Sequence, residues 1–277
     1  MNKNVYQDKE SNSLRISEYK KYAGESTFSN VAAKFVVKGS ETYIIRGNKF
    51  VVNEGEYILG NNNEMSEVNI DKNTIGLCID ISNDVITEII ESVFDNPDLN
   101  EFMLTDKFFI NKYNSQHTHL GHRLNRLSKT LLQENRDVLL TTELFYSVGE
   151  NIVHDQSIIF EQFSRLHYKK QNVNEEVFRN LLNAKHYIEE NFLHAIDLNE
   201  LSKISLISKY ALIRLYKNTF GSTPYQYILQ KRLLHARQLI LSGKKIADVA
   251  DTCGFADSAT FSKAFKNHFR LSPSKLV

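Results

Sequence analysis

The 277-residue sequence holds only two cysteines, three prolines and no tryptophan. Cys78 and Cys253 are 175 positions apart, which gives neither a disulfide framework nor a cysteine-rich zinc site. No apolar run approaches the roughly 18 residues a membrane span requires. The polar opening from Met1 to Ser13 lacks the apolar core of a signal peptide. A cytoplasmic protein with no membrane partner is therefore expected. Residues 1–116 contain no histidine, which argues against a histidine-based metal centre there. No phosphate-binding glycine loop is present, and no Ser/His/Asp or Cys/His set has credible spacing. The expectation is a protein that is not an enzyme, with no catalytic residue, no cofactor and no metal. His117, His119 and His122 do cluster, but at a loop-to-helix boundary without a converging carboxylate they read as ordinary surface or half-buried histidines. Cys253 reads as packing in a turn, and Cys78, within Ile75–Ile79, as a buried strand residue.

The length suggests two domains, and 42% hydrophobic with 24% charged residues is ordinary globular composition. The net charge of +1 conceals an asymmetry. From Leu198 to the end there are 13 Lys and Arg against 4 Asp and Glu, whereas the preceding residues carry 21 against 29. A basic end on an otherwise acidic chain points to a polyanionic partner, with a solvated basic face as the alternative.

Residues 30–82 read as strand-rich. Gly39, Gly47 and Gly55 recur every eight residues around Thr42–Ile45 and Phe50–Val52, a hairpin signal. A two-residue turn at Gly47-Asn48 pairs Ile45 with Phe50 and Tyr43 with Val52. Those four apolar side chains then share one face, and an antiparallel meander packs or closes around it. Residues 84–168 change period: Leu120, Leu124, Leu127 and Leu131 form one helical stripe, and Leu140, Leu144, Val148 and Ile152 a second. Asn135-Arg136-Asp137 is the expected break between them. These stripes are read as core, or as a dimer interface. Residues 169–174 are a polar linker, and Val177, Leu181, Ala184 and Ile188 mark a helix ending near Phe192.

The last eighty residues contain an internal repeat at an offset of 49. Leu212–Phe220 followed by Ser222-Thr223-Pro224 matches Phe261–Phe269 followed by Leu271-Ser272-Pro273. Hydrophobe, basic residue, aromatic, Lys-Asn, Phe and Pro fall at identical steps. Each copy reads as a helix-turn-helix. In the first, Leu198–Ile204 is a short helix, Ser205-Leu206-Ile207 the turn, and Ser208 the cap of the next helix. In the second, Ile246–Ala250 is the short helix and Cys253-Gly254-Phe255 the turn. Pro224 to Ser242 reads as one helix of 19 residues, about 28 Å long, and Gly243 ends it. Successive major-groove faces of DNA lie about 34 Å apart, so such a rod suits two recognition helices on one side of a duplex.

With these residues in hand, the chain resembles the AraC family of bacterial transcription regulators. The resemblance rests on Ile246–Phe255, Phe261–Lys266 and Ser272-Pro273. In the first copy it rests on Leu201, Ser208, Leu212, Arg214–Lys217 and Gly221, with Arg232 and Ala236 on the connecting helix. It covers about a third of the chain. More weakly, residues 34–60 resemble the cupin-like effector domain common in that family. Leu206 and Arg270 depart from it, standing where glycine is usual, so the first turn is expected to be built differently.

The resemblance implies an α+β protein: a cupin-like regulatory domain over 1–168 with a helical dimerisation segment, a linker, and an all-α DNA-binding domain over 175–277. Its helix-turn-helix motifs lie near 198–220 and 246–269. It implies binding to double-stranded promoter DNA, contact with RNA polymerase, activation more often than repression, and a small effector or a protein partner; a homodimer is expected through the helices of 118–166. Core-facing residues leave Lys209, Tyr210, Ile213, Arg214 and Lys217 outward in the first recognition helix, and Ser258, Ala259, Ser262 and Lys263 in the second. Tyr210, Ile213, Arg214, Ser258, Ala259, Ser262 and Lys263 are expected to meet bases. Lys209, Lys217, Lys266 and the amides that begin both recognition helices are expected to meet phosphates. Arg214 is the foremost base reader, because a guanidinium spans the two acceptors of guanine. Tyr43, Ile45, Phe50 and Val52 are expected to contact an effector, with a filled core as the alternative. A cupin-like enzyme with a helical interaction module and a regulator without ligand remain alternative readings.

Overall fold

The computed structural model describes residues 2–9, 11–61, 64–132, 141–167 and 170–276. The chain divides into two compact units, Met1–Glu161 and Gln162–Val277.

The first unit contains two antiparallel sheets. One has six strands in the order β1 (Asn2–Gln7), β2 (Ser13–Tyr19), β9 (Thr74–Ile81), β4 (Val31–Lys38), β7 (Glu56–Gly60) and β10 (Asn111–Asn114). The other has four, β3 (Tyr22–Phe28), β8 (Glu64–Ile70), β5 (Ser40–Ile45) and β6 (Asn48–Asn53). Within residues 30–82 only β5 and β6 pair as sequence neighbours, so the expected meander is replaced by strands that cross between sheets. Burial gives the reason. Every residue of β7 and the first six of β4 are buried, and a sheet with one wet face cannot accommodate such strands.

The β5–β6 hairpin corrects the expected register. The turn is Arg46-Gly47, both with positive φ (49° and 76°), the requirement of the tight hairpin turn whose twist matches its strands. Arg46 is held there by Glu64 (Nη2–Oε2 2.7 Å) and the Asp106 carbonyl (3.2 Å). Tyr43 therefore pairs with Phe50, Ile45 with Asn48 and Glu41 with Val52. The slip is two residues in pairing, so the face is preserved: Tyr43, Ile45, Phe50 and Val52 are all buried. Glu41, two residues before Tyr43, is buried on the same face.

Among the described residues, the sheets are accompanied by α1 (Asn83–Ile89), continued by a wider turn over Ile90–Phe94, α2 (Pro97–Leu104), α3 (His119–Leu132) and α4 (Thr142–Ser164). Ser82 caps α1, and Asn96 ahead of Pro97 starts α2. The stripe Leu120, Leu124, Leu127, Leu131 is buried along α3, as are Leu144, Val148 and Ile152 along α4. Each buried leucine contributes about 2 kcal/mol of transfer free energy. Leu140 and the expected break at 135–137 lie outside the described residues.

The second unit is helical: α5 (Gln171–Asn191), α6 (Leu198–Ser205), α7 (Lys209–Phe220), α8 (Pro224–Leu241), α9 (Ile246–Thr252) and α10 (Ser258–Phe269). A short 3-10 turn spans Pro273–Lys275. Residues 171–174 of the expected linker form the first turn of α5. Thr223 and Gln226 close a reciprocal capping box at the start of α8. The length of α8, 18 residues, corresponds to about 27 Å. One core gathers Leu233, Ala236, Ile240, Val249, Cys253, Phe261 and Phe265. Phe178, Leu181, Leu212, Tyr216 and Ile228 are buried nearer the other end of α8.

Candidate nucleic-acid interface

Asp197 caps α6 by accepting the Glu200 amide (2.8 Å). Leu206 then turns the chain with φ 54°. That is the left-handed conformation glycine would adopt, so the first turn keeps the geometry it was expected to lose. Arg270, the other departure, ends α10 with φ 59°. Ser208 occupies the position before α7 with extended backbone, but its hydroxyl makes no capping hydrogen bond. The expected side-chain cap is thus absent, and no capping side chain occupies the first amides of α7.

Leu212, Tyr216 and Thr219 are the buried face of α7. Lys209, Tyr210, Arg214 and Lys217 are exposed, Tyr210 at 89%. Ile213 is half-buried. An aromatic ring so exposed at the start of a cationic helix is costly in water and suited to stacking on a base or sugar. The second copy differs. Gly254 makes the turn (φ 72°), and Asp257 caps α10, its carboxylate accepting from the Thr260 amide (2.6 Å) and hydroxyl (3.0 Å). Those hydrogen bonds hold the Asp257 carboxyl below the usual carboxylate range. A fixed negative charge therefore occupies the start of α10, where amides were expected to meet phosphate. Ser258, Ala259, Lys263 and Lys266 are exposed and Ser262 is half-buried.

Sequence reasoning missed the role of Arg232, on α8. Its Nε donates to the Phe192 carbonyl (2.6 Å), Nη1 to Gly254 (2.7 Å) and Nη2 to His194 (2.8 Å). One guanidinium thus ties the α5–α6 connection to the turn of the second motif. Only tertiary structure brings those carbonyls together, so spacing carries no signal for it.

These features coincide with what comparison finds. Residues 201–277 match a helix-turn-helix domain family. The C-terminal unit contains a helix-turn-helix domain. Similar proteins include a probable transcriptional regulator, LumQ, of Photobacterium leiognathi, 30% identical over 155 residues, 56% of this chain and 58% of that protein. The transcriptional activator RhaS of Yersinia pestis is 38% identical over 91 residues, 32% of this chain and 33% of that protein. The matches thus span between about a third and somewhat over half the length of these relatives. Among solved structures, a regulator with an AraC-type DNA-binding domain from Chromobacterium violaceum aligns at 30% identity with a TM-score of 0.34, covering 35% of this chain and 88% of that one. ToxT from Vibrio cholerae aligns over 98% of both chains at 12% identity with a TM-score of 0.40.

The first unit has its own candidate site. A cavity of about 180 Å3 lies between the two sheets, lined by Arg15, Ser26, Lys34, Glu41, Tyr43 and Cys78 among others. Of the four expected effector residues, Tyr43 lines it; Ile45, Phe50 and Val52 are buried but do not. Lys34 is 5% exposed. Its ammonium donates to the Ser26 hydroxyl (2.6 Å) and lies 4.2 Å from the centre of the Phe28 ring. Burial lowers its pKa. Burial likewise raises that of Glu41, whose carboxylate accepts the Tyr43 hydroxyl. The Cys78 thiol is pushed up to about 11, chiefly by burial, and so stays protonated at neutral pH. A cation and an acid facing one small cavity offer complementary partners to a compact polar molecule. A lysine within the apolar run Val31–Val37 was the readable signal for this site.

Proposed function

We propose that this protein is a sequence-specific DNA-binding transcription activator. On this reading α7 and α10 enter successive major grooves, and the cupin-like β-sheet unit senses a small polar effector in the Lys34/Glu41/Tyr43 cavity. The observation that carries the DNA reading is the AraC-type domain with a cationic, solvent-facing α7. Arg214 and Tyr210 read bases, with Ile213 against a thymine methyl, while Lys209, Lys217 and Lys266 hold phosphates. In α10, Ser258, Ala259, Ser262 and Lys263 face the groove with small side chains, so α10 contributes more to position than to discrimination. The name of the RhaS relative motivates activation, and with it contact with RNA polymerase; the buried leucine stripes of α3 and α4 give the homodimer no separate support. The test is footprinting of the full chain on DNA upstream of its own gene, titrated against random DNA and salt. Protection of two adjacent major grooves is expected. Binding that is blind to sequence and vanishes with salt, with and without candidate effectors, would overturn the reading.

A further inference from the structure

Among the described residues, one group of histidine and acidic side chains converges, and the DNA reading makes no use of it. His119 is the first residue of α3, and His154 and Asp155 lie on α4. Their candidate donor atoms all lie within 4.8 Å of one another. His119 Nδ1 is 3.0 Å and His154 Nδ1 3.9 Å from the same oxygen, Asp155 Oδ1. The two rings meet edge to face at 4.5 Å. Tetrahedral zinc with bonds of about 2.0–2.2 Å sets its ligand atoms roughly 3.3–3.6 Å apart, a value that lies between the two distances to Asp155.

The carboxylate is oriented in advance. Asp155 is nearly buried, and it accepts the backbone amides of His119 (3.2 Å) and Leu120 (2.8 Å). Outer hydrogen bonds of this kind fix a ligand before a metal arrives. Both imidazoles are more than half exposed, which leaves a position for water. Two imidazoles and one carboxylate suit a borderline transition ion, not magnesium or calcium, which prefer oxygen alone.

We propose that His119, His154 and Asp155 form a binding site for a divalent transition-metal ion of the zinc class, joining the start of α3 to α4. Ligation through His119 Nδ1 takes the place of its 3.0 Å contact with Asp155 Oδ1. The test uses the full chain without an affinity tag, stripped with chelator and titrated with zinc against a chromophoric competitor. One equivalent is expected to bind, with Co2+ in its place giving the visible absorption of a tetrahedral site and Mg2+ failing to compete. His119→Ala and His154→Ala should each weaken zinc binding by about tenfold or more. His122→Ala, on α3 but outside the group, should leave it unchanged. Absence of zinc binding by the parent chain overturns the proposal. So does undiminished binding by both variants, or loss confined to His122→Ala.

Discussion

Replacing Arg232 by alanine removes three hydrogen bonds from a charged donor, at 2.6, 2.7 and 2.8 Å. Bonds to a charged group contribute about 1.5–3 kcal/mol each when the freed partner stays dry. The Gly254 and His194 carbonyls lie near the surface and regain water, so each of these counts for less. The expected loss is about 3 kcal/mol, a fall of roughly 10 °C in the melting temperature of a domain this size. Arg232→Lys should recover less than half, because a single ammonium cannot reach three diverging carbonyls. Gly254→Ala probes the same joint. Its φ is 72°, and a Cβ there would stand 3.0 Å from the Arg232 guanidinium carbon and from the Leu193 carbonyl. In the Arg232→Ala background only the backbone strain and the Leu193 contact remain, so the double variant should lose less than the sum of the singles. Urea and thermal unfolding of the full chain, followed by circular dichroism, measure all four. A loss below about 1 kcal/mol for Arg232→Ala, or full rescue by lysine, would refute the reasoning.

Arg214→Ala should lower affinity by about 1–3 kcal/mol at one base pair, read by competition between single-base operator variants; a uniform loss would remove its base-reading role. Lys266→Ala should weaken all sequences alike and reduce the salt slope by about one. Lys34→Met removes a buried ammonium whose folded pKa lies below its ordinary value. Between the folded value and about 10.4 the unfolded state binds more protons, so the parent chain gains stability as pH rises through that window. Below it the desolvation penalty is fully present. The methionine variant should lack this rise in urea titrations from neutral to alkaline pH, and equal slopes would show that Lys34 is hydrated.

The helices were legible because their faces repeat, and the two motifs because one copy confirmed the other. The strands before residue 30 were not. Tyr22–Phe28 has exposed or half-buried residues at every position but its last, so β3 carries little alternation, and the four residues of β10 are all half-buried. The hairpin face was legible despite the wrong turn, since a pairing error of two preserves which side chains point inward. Glu41 shares that face by the same alternation, two residues before Tyr43, and was missed because the expected strand began only at Thr42. Asp257 was readable, because Asp-Ser-Ala-Thr before an apolar-periodic run is a capping signal. The convergence of His154 and Asp155 on His119 was not, because it joins separate helices.

Leu206 and Arg270 show where sequence pattern and backbone part company. Both stand where glycine is usual in the resembling family, and both adopt the positive φ that glycine accepts without strain. The turn geometry is therefore imposed by what flanks it. Leu201 and Leu212 are buried on either side of the first turn, and Phe265 and Pro273 on either side of the second. Each side chain held left-handed costs about 1–2 kcal/mol, which those buried neighbours offset. Leu206 is moreover 81% exposed, so its side chain returns little by burial. Leu206→Gly should then stabilise the chain by about 1 kcal/mol or slightly less, since glycine also frees the unfolded state. DNA affinity should be unchanged in the same preparation. A stability gain with weaker DNA binding would mean that the exposed leucine at this turn contacts the duplex, and a loss of stability would mean that the turn is not strained.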